Sequence, residues 1–350
     1  MKAEIKPRIE LVGRTRLEEV IPLDTPFVLF VDPANMCNFR CKYCPTGDPK
    51  LIRSTGRKQG LFDFGLFEKL IGDLAAFEKP LRVLRLYKEG EPLIHPRFVD
   101  MVRLAKQSGL VDRVDTTSNG SLLNPKLNRA LVDAGLDRIN ISLEGMNAKV
   151  YREFAGYRIQ FDRFVANIRD LYENRGQCEV LVKVVSENLA PEEHELFYQT
   201  FGDIADRVFI ENMAPCWPEF DTSHLPTDFE EGIYGQSVSE TEVCPYPFYS
   251  IAVNSDGSVS LCFLDWARKL PIGNVRDQSL KSIWESERLY RYRRMMLTGN
   301  RRKNPTCAVC GQLSHCLPDN IDAHAAGLLE KLDADFQRRL PARLATGTDA

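Results

Sequence analysis

The chain has 350 residues, 43% of them hydrophobic, enough to bury one large core and a smaller second unit. Its 46 lysines and arginines nearly balance 49 aspartates and glutamates, and the net charge of −3 gives no basis for a nucleic-acid partner. No apolar run approaches the roughly 20 residues that span a bilayer, and Met1–Lys6 lacks the apolar core of an export signal, so no membrane partner is expected and the setting is expected to be cytoplasmic.

Residues 1–24 read as an N-terminal extension. Between 25 and 216, six strand-like segments (27–33, 81–89, 111–118, 137–144, 179–186 and 207–212) alternate with amphipathic stretches near 65–78, 96–109, 124–135, 161–175 and 191–205. Apolar strands separated by helices predict an α/β fold of parallel βαβ units covered by helices. The pattern alone does not choose between an open sheet and a barrel. Residues 217–240, rich in Pro, Ser, Thr and acids, read as a linker, and 241–318 as a small cysteine-bearing domain. Residues 319–350 carry a helical pattern over about 320–340, with 342–350 expected to fray.

Ten cysteines in a chain without an export signal read mainly as metal ligands, not disulfides. Cys37, Cys41 and Cys44 follow the first strand at C-x3-C-x2-C spacing, so one short loop supplies three thiolates. Four thiolates saturate a [4Fe–4S] cube, whereas three leave one iron open to a small molecule. The competing reading, structural zinc, normally shows paired C-x2-C elements and four ligands, and no fourth Cys or His lies nearby. The run Cys37-Asn38-Phe39-Arg40-Cys41-Lys42-Tyr43-Cys44 resembles the cluster loop of the radical S-adenosylmethionine (SAM) enzymes. That resemblance implies a partial (β/α)6, TIM-like barrel with its site at the carboxyl ends of the strands. It also implies that Cys37, Cys41 and Cys44 hold a [4Fe–4S] cluster whose open iron is chelated by SAM, with Tyr43 near the adenine.

Other rim residues follow from the same resemblance. Glu89-Gly90-Glu91-Pro92 is similar to the family's glycine-glycine-glutamate motif, whose backbone and acid contact the methionine amino group. Here Glu89 replaces the first glycine, so the carry-over is firmest for Glu91 and the backbone around Gly90, with Glu89 kept as an expected SAM contact. Ser142 and Glu144 match the ribose-contacting position, and Asn119 matches the Asn of the family's Thr-Asn-Gly turn. Ala155 stands where the family often has the arginine that pairs with the SAM carboxylate, so either Arg152 or Arg158 replaces it or the contact comes from elsewhere. Val182 and Val184 either flank the adenine or pack in the core, and packing is the stronger reading.

A second cysteine set follows. Cys244, Cys262, Cys307 and Cys310 are separated by 17, 44 and 2 residues, and 254–262 reads as a β-hairpin with an Asp-Gly turn that returns Cys262 towards Cys244. The pattern is similar to the SPASM and twitch extensions of radical SAM enzymes. The full extension holds two clusters on seven cysteines, but Asn320 stands where the next cysteine belongs and only five remain after the barrel. The resemblance therefore implies the shortened twitch form, with one auxiliary [4Fe–4S] cluster on Cys244, Cys262, Cys307 and Cys310, a zinc ribbon being the alternative. Cys178 reads as a buried thiol, Cys316 as a vestige or a thiol near the cluster, and Cys216 as a loop cysteine or a hydrogen donor. The Arg-rich stretch Arg291, Arg293, Arg294, Arg301, Arg302 and Lys303 reads as a solvated helix face rather than an RNA grip.

An enzyme is favoured over a non-catalytic iron–sulfur electron carrier, which would need neither an open iron nor a polar rim. The resemblance implies that a flavodoxin- or ferredoxin-type reductant drives cleavage of SAM to a 5′-deoxyadenosyl radical, which abstracts hydrogen from an unactivated C–H bond. Only 36 residues precede Cys37, which speaks against the leader-recognition domain of peptide-modifying relatives. The expected activity is oxidation of a secondary alcohol in a small polar, carbohydrate-like natural product of the sugar or aminocyclitol kind. Epimerisation with Cys216 as hydrogen donor is the near rival, and peptide maturation comes third. Asp265, just past Cys262, is a candidate substrate neighbour.

Overall fold

The structure is a computed structural model that describes every residue except Pro226, Asp228, Leu317, Pro318 and 347–350, with side chains described through Arg339. Its strands are β1 (Glu4–Ile5), β2 (Val28–Val31), β3 (Leu81–Leu86), β4 (Val111–Ser118), β5 (Arg138–Leu143), β6 (Glu179–Val185), β7 (Arg207–Glu211), β8 (Ser250–Val253), β9 (Ser258–Ser260) and β10 (Pro271–Asn274). The six expected strands are β2 to β7, each parallel to its neighbour in chain order. Helices Phe64–Asp73, Phe98–Gln107, Pro125–Asp133, Phe161–Glu173 and Pro191–Phe201 make the crossovers between them. Two of these begin at a residue whose side chain accepts a backbone N–H, Asp63 from Leu66 and Asn124 from Leu127.

One face of the sheet is apolar. Leu29, Leu84, Leu86, Val114, Ile139, Ile141, Val180 and Val182 are all fully buried in the main core with the helices. Val184 lies in the same core, so packing accounts for Val182 and Val184. The alternate positions Arg85, Asp115, Asn140, Lys183 and Glu211 point the other way, by the two-residue repeat of a strand. They line the inside of a partial barrel. Its curl is visible at Arg8, which donates to the Tyr87 hydroxyl just past β3 (3.0 Å) while its carbonyl accepts from Arg138 on β5 (2.9 Å).

The cysteine-bearing region is not a separate layer. β8 and β9 form the expected hairpin, with Gly257 at φ +89° in its turn, and β8 then pairs parallel with β2 (Val28 opposite Ser250). β1 pairs parallel with β7 at the opposite edge, so ten strands form one sheet, in the order β1-β7-β6-β5-β4-β3-β2-β8-β9-β10. The final helix, Ala325–Thr346, packs on helix Glu287–Leu297 through stacked Tyr290 and Phe336 (3.8 Å between ring centres). The helix runs to Thr346, and 347–350, also within the stretch expected to fray, lie outside the described residues. Among the described residues no helix is long and apolar enough to cross a membrane.

Candidate active site

β2 delivers the chain into the first cysteine loop, and close backbone packing fixes the loop's path. Gly90 lies against it. A Cβ there would fall 2.0 Å from the Ala34 carbonyl oxygen and 2.3 Å from that of Met36, so only glycine fits. The Glu91 amide donates to the same Met36 carbonyl (2.8 Å). On the far side, the amides of Arg40 and Lys42 donate to the carbonyls of Ala155 and Phe154. Phe39, 1% exposed, anchors the loop edge-on against Tyr151.

The three thiols of this loop are electrostatic neighbours of one another. The Cys37 sulfur accepts from the Phe39 amide (3.4 Å) and the Asn119 side chain (3.8 Å). Cys41 donates to one Glu144 oxygen (3.4 Å), and the Tyr43 hydroxyl donates to the other (2.6 Å). Burial pushes all three thiols up, Cys37 to about 12, so they ionise only against a cation such as iron. Three half-buried thiols on one loop fit an iron–sulfur cube. Among the described residues no three His, Cys, Asp or Glu side chains close around a single metal ion, which is the arrangement a zinc site at about 2.3 Å Zn–S distances would need.

The neighbouring rim residues divide into free and engaged groups. Glu91 is engaged: its oxygens accept from the Leu93 amide, the Ser118 hydroxyl and the Asn119 amide (2.8–3.0 Å). Burial pushes its carboxyl up to about 7. It holds the β4 turn, and through that turn Asn119, whose side chain bonds Asn38 (2.8 Å). Ser142, on the inner face of β5 opposite Lys183 on β6, is half-buried. Arg152 is exposed on helix Ala148–Phe154, whereas Arg158 lines a cavity with Ser121 and Tyr157.

Glu89 is engaged most of all, which departs from the expectation that it contacts SAM. Its fully buried carboxylate receives Arg57, Lys88 and Arg268, and Arg268 also approaches buried Asp32 (3.6 Å). Burial alone would push Glu89 up, but the Lys88, Arg268 and Arg57 charges hold it below the usual carboxylate range. Arg57 also donates to the Trp266 carbonyl (2.7 Å), so this cluster ties the Glu89–Glu91 segment to the loop after Cys262. Asp265 in that loop is not free for a substrate either. It is 2% exposed, and its oxygens accept from the Lys269 and Leu270 amides and the Ser260 hydroxyl. It builds a turn.

The four thiols of the second set lie together. Cys262 has Cys244, Cys310 and Cys307 as its electrostatic neighbours, and the four line one void with apolar walls that include Leu261, Leu270, Met296 and Leu313. Arg301 reaches over it, donating to the Cys307 and Glu242 carbonyls. The solvated-face reading fails for two members of the Arg-rich stretch. Arg301 is 5% and Arg293 is 8% exposed, Arg293 because it stacks over Trp284 (4.0 Å). Cys178 is buried in the core as expected. Cys216 sits where Pro215 packs on Gly311, with Cys310, Cys44 and Lys183 within electrostatic reach. Buried Cys316 has Cys216 and Cys310 as neighbours, so it is a thiol near the second set.

Sequence reasoning placed Lys88 and Glu211 on the rim but missed Arg57, Arg268 and the pairing of Lys183 with Glu211. A signal existed for Lys183: it is the one charge inside the apolar run Val180–Val185, at an inward position.

Comparison with known proteins agrees with this geometry. The Radical SAM superfamily model matches residues 31–194, and the SPASM iron–sulfur cluster-binding domain matches 244–311. The AdoMet-dependent heme synthase of Methanosarcina barkeri is 23% identical over 83% of this chain and 90% of its own. The tungsten-containing aldehyde ferredoxin oxidoreductase cofactor-modifying protein of Pyrococcus furiosus is 25% identical over 82% and 88%. The S-adenosyl-L-methionine-dependent 2-deoxy-scyllo-inosamine dehydrogenase of Niallia circulans is 21% identical over 81% and 92%. The crystal structure of BtrN in complex with AdoMet and 2-DOIA shares the fold, with a TM-score of 0.55 at 19% identity over 86% of this chain and 99% of that one. The first domain implies a [4Fe–4S] cluster with SAM, and the second an auxiliary iron–sulfur cluster. The chain belongs to the radical SAM superfamily, as an enzyme with a SPASM-type iron–sulfur domain following its barrel.

Proposed function

We propose that the protein oxidises a secondary alcohol of a small polar, carbohydrate-like molecule to a ketone. Such an oxidation removes one hydrogen atom from carbon, one proton from oxygen and one electron. When bound, SAM on the first cluster supplies hydrogen-atom abstraction and the auxiliary cluster an acceptor for the electron. In this reading Cys37, Cys41 and Cys44 hold the first cluster, and Cys244, Cys262, Cys307 and Cys310 the second. Gly90 offers its backbone, and Tyr43, Asn119, Ser142 and Glu144 their side chains, to SAM. Glu91 acts through the turn it holds.

The observation that carries the reading is the nearness of the second thiol set to the rim, at Cys216, where one electron could leave the substrate side. The hydroxyl proton then falls to the chain's own residues. Lys183 and Glu211 are directly paired on the inner rim, Glu211 nearly fully buried, so the carboxylate can accept the proton while the ammonium holds the substrate oxygen. The dehydrogenase of Niallia circulans, matched over most of its length, adds support.

Epimerisation is the second reading, favoured by the thiol of Cys216 at the same place. Turnover in D2O separates the two. A product two hydrogens lighter, still formed by Cys216→Ala, is the expected result. A product of unchanged composition carrying deuterium at carbon, and lost in Cys216→Ala, overturns it in favour of epimerisation.

A further inference from the structure

Beneath the rim, inside the partial barrel, lies a cavity of about 350 Å3, within the size range of small-molecule sites. Its walls come from three parts of the chain: the N-terminal segment from Arg8 to Leu17, the barrel strands at Phe30 and Arg85, and the iron–sulfur domain at Tyr246, Tyr249 and Phe263. Phe30 and Arg85 sit two residues below Asp32 and Tyr87 on their strands, a step of roughly 6.6 Å at 3.3 Å per residue. The cavity extends towards the start of β2 at Phe27 and Val28 and reaches Cys316, beside the second thiol set.

Two features select what could fill it. The first is a pair of buried guanidinium groups whose donors the protein only partly uses. Arg8 donates to the Tyr87 hydroxyl and also faces Tyr234, with Glu211 and Asp115 within electrostatic reach. Arg85 pairs with Asp115 at 3.6 Å, and Glu10 is the carboxylate on the cavity wall. The Nε atoms of both are buried without a hydrogen-bond partner. A buried guanidinium left with an unsatisfied donor is costly, and an anionic group presenting oxygen acceptors would remove that cost. The second feature is aromatic surface. Phe30 stacks on Phe263 (4.6 Å between ring centres) and Tyr246 meets Phe263 edge-on, so flat rings line the walls beside the arginines.

We propose that this cavity binds a ligand with a planar aromatic part and a carboxylate or phosphate group, the anion on Arg8 and Arg85 and the ring among Phe30, Tyr246 and Tyr249. The cavity is separate from the residues assigned to SAM and the clusters, so this binding goes beyond the oxidation reading and stands by itself.

The test is calorimetric titration of the anaerobically reconstituted full chain with three probes that share one ring: 1-naphthoate, 1-naphthylmethanol and 1-naphthylmethylamine. Naphthoate is expected to bind at least tenfold more tightly than the alcohol, with no measurable binding of the amine. In the double variant Arg8→Gln/Arg85→Gln that preference disappears, while SAM affinity and iron content stay at wild-type values and show that the fold is retained. Arg85→Lys, which restores the charge, recovers part of it. Equal binding of all three probes, absence of naphthoate binding, or an undiminished preference in the double variant would each overturn the proposal. Failure of the oxidation reading would register separately, in the mass of the turnover product, and would leave the probe series untouched.

Discussion

The ion cluster around Glu89 makes an ordering of mutant stabilities that runs against chemical intuition. Three cations, Arg57, Lys88 and Arg268, face two carboxylates, Glu89 and Asp32, and all but Arg268 have almost no exposed side-chain surface. Arg268→Met removes a charge and an attraction to Glu89 at 3.1 Å, worth roughly 5 kcal/mol gross at an effective dielectric near 20. It also leaves two cations against two carboxylates, a balanced set, so the net loss should be about 2 kcal/mol. Glu89→Gln changes a single atom, yet it leaves three buried cations with only Asp32. Uncompensated buried charge of this kind costs about 3–5 kcal/mol. Urea unfolding of the reconstituted protein under anaerobic conditions, followed by far-ultraviolet circular dichroism, should therefore place Glu89→Gln below Arg268→Met. The double variant should recover part of the loss, because removing one cation relieves the surplus. If Glu89→Gln unfolds with the wild type, or later than Arg268→Met, the view that Glu89 neutralises surplus buried charge is wrong.

Replacing Cys262 or Cys310 by Ser should lower iron from about eight to about four atoms per chain while SAM cleavage persists and substrate oxidation stops; analysis of iron and sulfide with product mass checks both. Tyr43→Phe deletes the 2.6 Å bond to Glu144 and leaves one buried oxygen unsatisfied, so stability should fall by about 1–3 kcal/mol in the same urea assay. Burial raises Glu91 to about 7 and Asp32 to about 6, above their unfolded values, so the folded state holds their protons more tightly. Stability from these groups is therefore greatest at low pH and declines as pH rises towards the folded values, and Glu91→Gln should flatten the decline between about pH 4.5 and pH 7.

What could be read in advance followed from local pattern. The six strands and the crossover helices rest on apolar repeats and caps within a few residues of each other, and the cysteine spacings carry both thiol sets. The charged groups were hidden because their meaning is non-local. Arg57, Glu89 and Arg268 lie 32 to 211 residues apart and become one cluster only when the sheet curls and the iron–sulfur domain closes on it. Arg301 looked solvated because its neighbours in sequence are charged, although its partners, the Glu242 and Cys307 carbonyls, lie across the second thiol set. Glu89 was misread for a related reason: a motif position tells which backbone turns there, not which cations the rest of the chain will bring.

The pairing of β8 with β2 has a consequence for the boundary near residue 240. Cutting there would expose the β2 edge, Val28–Val31, whose four residues are all buried, and would open the small cluster of Val28, Phe30, Tyr87 and Ala252 to water. A short apolar strand with unpaired N–H and C=O groups is a template for aggregation. The same cut removes Arg268 and the Trp266 carbonyl, so Glu89 and Arg57 each lose a buried partner next to the SAM motif. A chain ending at residue 240 should therefore aggregate or unfold, although it retains Cys37, Cys41 and Cys44 and every barrel strand from β1 to β7. Size-exclusion chromatography with circular dichroism, and iron content after reconstitution, would show it. A truncated chain that stays monomeric, keeps its helix and strand signal and loads about four irons would mean that the ten-stranded sheet is two independent units joined at an edge, and that the Glu89 cluster is not what couples them.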